Sequence, residues 1–205
     1  MKLYVGVCNS QEFVPADFHW SWEAMEKPYK YVKVRFTDTD DLCRNNQMVA
    51  EFLKSGCDML VKMDIDQVYP PHYFPFMVPL AEKYKVIGPK LYNKWRWADY
   101  RPLMFETNDF PYIAGSMKDE GAIQEVPYPH TNMFYMREVL EKISPPWYEK
   151  SYNPDRTKRM NDMDFSFLDK IKAAGYKLYI NNSIEVKHLV VETVDSKLFC
   201  RWNRM

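Results

Sequence analysis

The alternation of short apolar runs with amphipathic segments predicts an α/β protein, three layers deep (α/β/α), around a mostly parallel central sheet. Strand-like runs at Lys2–Val7, Tyr31–Phe36 and 59–64 are each followed by a helix-period segment, and 85–88 supplies the next strand, so the chain reads β-α-β-α-β-α-β. Met59, Leu60, Val61 and Met63 make the third run apolar enough to be buried on both faces, as parallel strands are. That run stops at two carboxylates, Asp64 and Asp66, and in an open α/β sheet ligands bind at the carboxyl ends of the strands.

Each element has a local cause. After Lys2–Val7 the polar Cys8, Asn9 and Ser10 form the loop at the ligand edge of the sheet. Phe18, Trp22 and Met25 recur at spacings of four and three, which predicts a helix over 15–27, closed by Pro28. Tyr31–Phe36 alternates as a strand. Thr39, Asp40 or Asp41 can cap the next helix, whose buried face is Met48, Val49, Phe52 and Leu53, and which Gly56 terminates. Arg44 and Asn45 fall in its first turn, where a cation opposes the helix dipole; Arg44 is either aimed at an anionic ligand or paired with Asp40 or Asp41. Pro70 and Pro71 suit a turn and the start of a helix over about 71–84.

From Pro89 to Pro129 no period persists. Trp95, Trp97, Tyr100, Phe105 and Tyr112 mix with Arg96 and Arg101, which reads either as an acceptor-recognition lobe or as a small irregular β-rich insertion. Regularity returns with a strand at Asn132–Met136, a short helix at Arg137–Ile143 and a break at Ser144–Tyr148; Tyr152–Met160 reads as a mobile polar, basic loop. Phe165, Leu168 and Ile171 mark a last helix, ended by Gly175 and followed by strands at Tyr176–Ile180 and Ile184–Val186. Asp162 and Asp164 open that helix, where a capping role is the simplest explanation, and His188 ends the final strand as an edge residue or a ligand. The organisation expected is one domain, in two halves (1–88 and 89–189) and a tail (190–205).

Alternation puts Asp64 and Asp66 on one face and turns Ile65 into the core, so both carboxylates can reach one hard cation, Mg²⁺ or Mn²⁺, and leave positions open for a substrate diphosphate. The alternative is a solvated strand end. Composition narrows the class less: Lys plus Arg equals Asp plus Glu at 28 each, so no overall field points to nucleic acid or an acidic membrane. Cys8, Cys43, Cys57 and Cys200 show no C-x-x-C pairing, and no run approaches a membrane span or a signal peptide, which predicts reduced thiols and a cytoplasmic protein without a transmembrane segment.

Taken together, these stretches resemble the GT-A class of nucleotide-sugar-dependent glycosyltransferases, family 2-like, in the compact form of bacteria and phages. Asp64-Ile65-Asp66 matches the D-x-D that binds the divalent ion and donor diphosphate, and 161–165 (NDMDF) matches all but the first residue of an E-D-x-x-F motif that supplies the catalytic carboxylate. Gly175–Tyr179 followed by His188 fits a third metal ligand, and Arg44-Asn45 and Pro146–Tyr148 are similar to recurring features of the class. The resemblance implies a Rossmann-like GT-A fold and hexosyl transfer from a nucleoside diphosphate sugar, with UDP as the expected nucleotide, to an acceptor hydroxyl with inversion. Mn²⁺ or Mg²⁺ would sit on Asp64, Asp66 and His188. Cys8, Asn9, Ser10, Arg44 and Asn45 would flank the donor, and Asp162, or else Asp164, would be the base. The acceptor stays open: a glycan, a lipid-linked sugar, a protein, a small molecule or a modified DNA base. Asn161 in place of an acid, and the segment 128–132 (YPHTN) in place of a Gly-rich one, keep a catalytically silent sugar-nucleotide binder as the alternative. A nucleotidyltransferase would need a Gly-rich loop that Val7–Pro15 lacks.

Overall fold

The computed structural model describes residues 1–9, 13–94, 101–107, 115, 123–152, 155 and 159–190, with backbone alone at 159–161. Its centre is a mixed eight-stranded sheet. Strands β1 (Lys2–Cys8), β2 (Lys30–Phe36) and β3 (Met59–Asp64) lie parallel in the order β2-β1-β3. β5 (Val86–Leu91) and β12 (Tyr179–His188) form a second parallel pair. Between β3 and β5 runs β9 (Phe134–Met136), antiparallel to both. β4 (Gln67–Val68) and β7 (Ile123–Glu125) pair antiparallel with β12. The parallel core is as the sequence predicts.

Two apolar layers sandwich the sheet because side chains alternate across each strand. Leu3, Val5, Val7, Met59, Val61 and Met63 face helices α1 (Ala16–Ala24) and α3 (Tyr73–Tyr84), with Phe18, Trp22, Phe74 and Met77. Tyr4, Cys8 and Leu60 face α2 (Asp41–Lys54), α4 (Arg137–Glu141) and α5 (Met163–Ala173), with Met48, Phe52, Leu140, Phe167 and Leu168. Burying each such side chain stabilises the fold by roughly 1.5–3 kcal/mol before chain entropy is charged against it.

Local chemistry sets the ends of the helices that reach the ligand edge. Asp40 caps α2, its Oδ1 accepting from the amides of Leu42 (2.7 Å) and Cys43 (3.1 Å), and Asp162 caps α5 through the amide of Met163 (2.7 Å). Gly56 and Gly175 take φ of +66° and +90°, the left-handed turn that stops a helix. Tyr148 is fixed between layers: Asn46 receives its amide (3.0 Å) and donates to its carbonyl (2.8 Å), while its ring stacks on Phe167 at 4.1 Å.

Several expectations need correction. The polar stretch 152–160 is flanked by a two-stranded antiparallel pair, β10 (Ser151–Tyr152) and β11 (Arg159–Asn161), too short to leave a period in the sequence. The two strands expected at 176–186 are one strand, β12, whose pairing with β5 shifts register between Asn181 and Glu185. α3 begins at Tyr73 rather than Pro71, because 71–72 form a turn in which the Tyr73 amide donates to the carbonyl of Pro70 (3.1 Å). The strand expected at 85–88 runs on to Leu91 as β5, and beyond it in 89–129 the described pieces are a bridge between Tyr92 and Pro102, β6 (Met104–Phe105), β7 and β8 (Tyr128–Pro129); Trp95, Arg96, Trp97, Tyr100 and Tyr112 lie outside the described residues.

Gly6 shows how tightly β1 and α2 meet, since a Cβ there would lie 2.3 Å from Met48 Sδ and 2.7 Å from its Cγ, in a side chain with no exposed surface. Gly6→Ala should therefore lower the unfolding free energy by about 1–3 kcal/mol, because strand and helix must separate. Urea denaturation with an unchanged slope and a lower midpoint is the expected outcome; equal or higher stability would mean that Met48 simply swings aside.

Candidate active site

The carboxyl ends of β1 and β3 are in register, Cys8 opposite Asp64, and the amide of Ile65 donates to the carbonyl of Cys8 (3.3 Å). At this edge lies a cavity of about 290 Å³ lined by Cys8, Asp41, Arg44, Asp64, Ile65, Asp66 and Lys94. α2 brings Arg44 to it from the side. Arg44 is buried; its guanidinium donates to the carbonyl of Asp38 and the carboxylate of Asp41, and its buried Nε–H is without a hydrogen-bond partner among the described residues. Arg44 thus pairs with Asp41, as one of the two expectations has it, and the residue also lines the cavity. Burial pushes the Cys8 thiol up to about 11, so it lines the wall as a neutral group; its Sγ–H donates to Asn45 Oδ1 at 3.8 Å. Asn45 and Asn9 are buried, Asn45 donating to the carbonyl of Asp41 (2.7 Å) and the Asn9 amide to that of Phe36 (2.9 Å). Ser10 lies outside the described residues.

Asp66 pairs with the ammonium of Lys94, and its carbonyl accepts from the amide of Leu189 (2.7 Å). His188 is one residue away in that ladder, yet its ring is turned to the carbonyl of Tyr92 through Nδ1 and to Gln67 through Nε2 (3.3 Å). Among the described residues no three His, Cys, Asp or Glu side chains converge as a metal-binding group. Asp64 and Asp66 share the cavity; His188 is beside it and does not line it.

Behind Asp64 is a polar network inside the apolar layer. Lys62, on the same face of β3, is 5% exposed, and its ammonium donates to Asn132 Oδ1 (2.6 Å) and Thr131 Oγ1 (3.1 Å) and lies 4.0 Å from Asp64 Oδ1. Asn132 donates on to Asp64 Oδ2 (2.5 Å), and Thr131 to Asp164 Oδ1 (3.0 Å). Burial alone would drive the Lys62 ammonium towards neutrality, but the carboxylates of Asp64 and Asp164 hold it charged, above its ordinary value. Burial raises the carboxyl of Asp164, with Lys62 and Thr131 pulling it back. Asp162 caps α5 and Asp164 does not, so the two acids part in role.

Sequence reasoning missed Lys62, Thr131, Asn132 and Lys94. Lys62 did leave a signal: one charge in a strand otherwise apolar on both faces. Thr131 and Asn132 carry no pattern of their own, and Lys94 meets Asp66 only through the fold.

With this geometry in hand, comparison with known structures identifies the fold. The chain is similar to A197 from STIV (TM-score 0.58, 17% identity, 93% of this chain and 87% of that one). It is also similar to residues 1–349 of S. aureus TarS in complex with UDP-GlcNAc (0.53, 12%, 95% and 60%) and to GalNAc-T7 with UDP, GalNAc and Mn²⁺ (0.57, 11%, 99% and 48%). The fold is GT-A-like, that of glycosyltransferases. The chain spans only about half to three-fifths of the two glycosyltransferase chains it matches. No protein-family model and no curated protein sequence matches it.

The segment that carries Thr131 and Asn132 is fastened by His130, whose Nε2 lies 2.8 Å from the carbonyl of Pro89. A carbonyl can only accept, so Nε2 carries the proton, and Nδ1, buried without a partner among the described residues, is left unprotonated. Burial lowers the His130 pKa to about 4. As pH falls below the ordinary value of 6.5 the unfolded chain takes up a proton that the folded one refuses, so stability is lost between about pH 6.5 and 4, by about 3 kcal/mol. His130→Gln lacks this titration: its stability deficit against the wild type at pH 7.5 should shrink by that amount at pH 4. A deficit constant across the range would show that His130 is not buried as a neutral ring.

Proposed function

We propose that this protein is a metal-dependent glycosyltransferase that moves a sugar from a nucleoside diphosphate donor, a UDP-sugar, to an acceptor hydroxyl with inversion. The observation that carries this reading is one cavity, at the carboxyl ends of β1 and β3 of a GT-A-like sheet, that brings the carboxylates of Asp64 and Asp66 together with Arg44, whose guanidinium is paired with a third lining carboxylate, Asp41, and has an Nε–H without a partner among the described residues. A diphosphate is the ligand that uses both: its oxygens accept from Arg44 and share a cation with Asp64 and Asp66.

The residues present fit such an ion. Mg²⁺ or Mn²⁺ takes hard oxygen ligands and is commonly held by one or two carboxylates, with substrate phosphates completing the shell, so Asp64 and Asp66 suffice. His188 is oriented as metal-ligating histidines are, one ring nitrogen on a backbone carbonyl, and would join them by giving up Gln67. When bound, the ion supplies positive charge to the departing diphosphate. The chain's residues do the rest. Cys8, Asn9 and Ser10 with Arg44 and Asn45 flank the nucleotide. Asp162, at the α5 N-terminus where the helix dipole favours a carboxylate, accepts the proton of the attacking hydroxyl, and a single displacement from the far face inverts the anomeric carbon. The cysteine spacing, without C-x-x-C pairs, supports a reducing cytoplasmic setting as part of this reading. No helix among the described residues is long and apolar enough to cross a membrane.

One observation favours a second reading, a sugar-nucleotide binder without catalysis: Lys94 already neutralises Asp66, so the nucleotide could bind with no added cation.

The test is release of free nucleoside diphosphate from a panel of nucleotide sugars with Mn²⁺, together with calorimetry of UDP binding. Asp66→Ala should lose Mn²⁺-dependent UDP binding while the unfolding midpoint hardly moves, because a partly exposed charge and no core is removed. Asp162→Asn should bind UDP normally and turn over about 10²–10⁴ times more slowly, since Asn caps the helix as well as Asp but takes no proton. UDP affinity indifferent to Asp66 would remove the metal assignment; normal turnover in Asp162→Asn with loss in Asp164→Asn would move the base to Asp164. A wild type that binds UDP but releases nothing from any sugar leaves the silent binder.

A further inference from the structure

We infer that Lys62 is a positioning residue that acts on the site from inside the core along two arms, aiming Asp64 through Asn132 and, through Thr131 and Asp164, holding the first turn of α5 that follows Asp162; the functional meaning of the two arms rests on the glycosyltransferase reading. The inference starts from directionality. An ammonium only donates, so Thr131 must receive it on a lone pair, and its single hydrogen is left for Asp164 Oδ1, 3.0 Å away. For the same reason the amide oxygen of Asn132 faces Lys62 at 2.6 Å, and its nitrogen is thereby turned to Asp64 Oδ2 at 2.5 Å. One cation thus fixes the sense of four hydrogen bonds, and they run outward to two acids that the sequence separates by a hundred residues.

A packing role does not require this residue. Val61 and Met63 on either side are fully buried, and an apolar side chain would fill the position at no desolvation cost, whereas a buried ammonium is unfavourable unless well paired. The relays are informative too. Thr131 and Asn132 are neutral and buried, so Asp64 is gripped from behind by one hydrogen-bond donor and keeps its remaining lone pairs for the cavity it lines. The Asp64 side chain is 31% exposed and lines the cavity. A carboxylate held this way cannot turn its other oxygen to the ligand, and such supporting partners govern the orientation of ligating groups.

The two arms are separable, which a merely structural role would not be. Thr131→Val keeps volume and removes the bond to Asp164: turnover should fall about 10- to 100-fold with Mn²⁺ and UDP affinities unchanged, and Thr131→Ser should restore it. Asn132→Leu removes the bond to Asp64: Mn²⁺-dependent UDP affinity should fall about 10- to 100-fold. Lys62→Met should show both losses. If each arm variant changes affinity and turnover alike, or neither changes anything, Lys62 is only a satisfied core lysine. A wild type with no UDP binding and no turnover would count against the glycosyltransferase reading, and the network is then judged without ligand. In ¹⁵N-lysine-labelled protein the Lys62 ammonium resonance, assigned by its loss in the charge-conserving Lys62→Arg, should shift in both Asp64→Asn and Asp164→Asn. A resonance unmoved by one of them, or exchanging with water as fast as those of exposed lysines, overturns the inference whether or not Lys62→Met folds well enough for kinetics.

Discussion

An ammonium sealed from water has to be answered by oxygen on every donor, and in this protein that requirement falls on Lys62. Its hydrogen bonds go to the strand-entering segment 131–132, the Asp64 carboxylate at the end of β3 lies 4.0 Å away, and Thr131 passes the contact on to Asp164 at the start of α5. None of the three could move without stranding a buried charge, which costs several kcal/mol, more than most single contacts in a domain of this size supply. The polar centre therefore locks the layer that holds α5 to the edge of the sheet that holds Asp64. The surrounding apolar contacts give the energy, and the ammonium gives the alignment.

The sheet places this centre where chemistry is possible. Parallel strands β1 and β3 end together, so Cys8 and Asp64 stand side by side where backbone pairing stops and side chains meet solvent. β9 enters antiparallel between β3 and β5, and the turn before it is what carries Thr131 and Asn132 behind Asp64. Asp40, by capping α2, orients the first turn so that Arg44 reaches the same cavity at the expense of a favourable helix dipole. A cation in the first turn, buried and with one donor unspent, is a local cost that a bound anion would offset.

Much of this was legible in the sequence, for identifiable reasons. The parallel core follows from apolar runs separated by helix-period segments, and the α2 boundary from Asp40 and Gly56, because period and capping are local properties. That Asp64 and Asp66 share a cavity with Cys8 and Arg44 follows from one geometric rule about strand ends. What escaped depends on distant partners: the direction of β9, the short strands β4, β10 and β11, and the division between Asp162 as cap and Asp164 as a member of the Lys62 network. Lys62 itself stood in view as the only charge between Met59 and Met63. Its meaning depended on Thr131 and Asn132, some seventy residues away.

The central claim is that the cavity between Cys8, Arg44 and the Asp64–Asp66 pair is a nucleoside diphosphate site, and a crystal structure of the protein grown with UDP and Mn²⁺ tests it most directly. The account predicts the diphosphate within hydrogen-bond distance of Arg44 Nε. It also predicts one cation at about 2.0–2.6 Å from oxygens of Asp64 or Asp66 and of the diphosphate, with Lys94 displaced from Asp66. A nucleotide bound elsewhere, or an Arg44 Nε that remains without a partner while the nucleotide is bound, would contradict it.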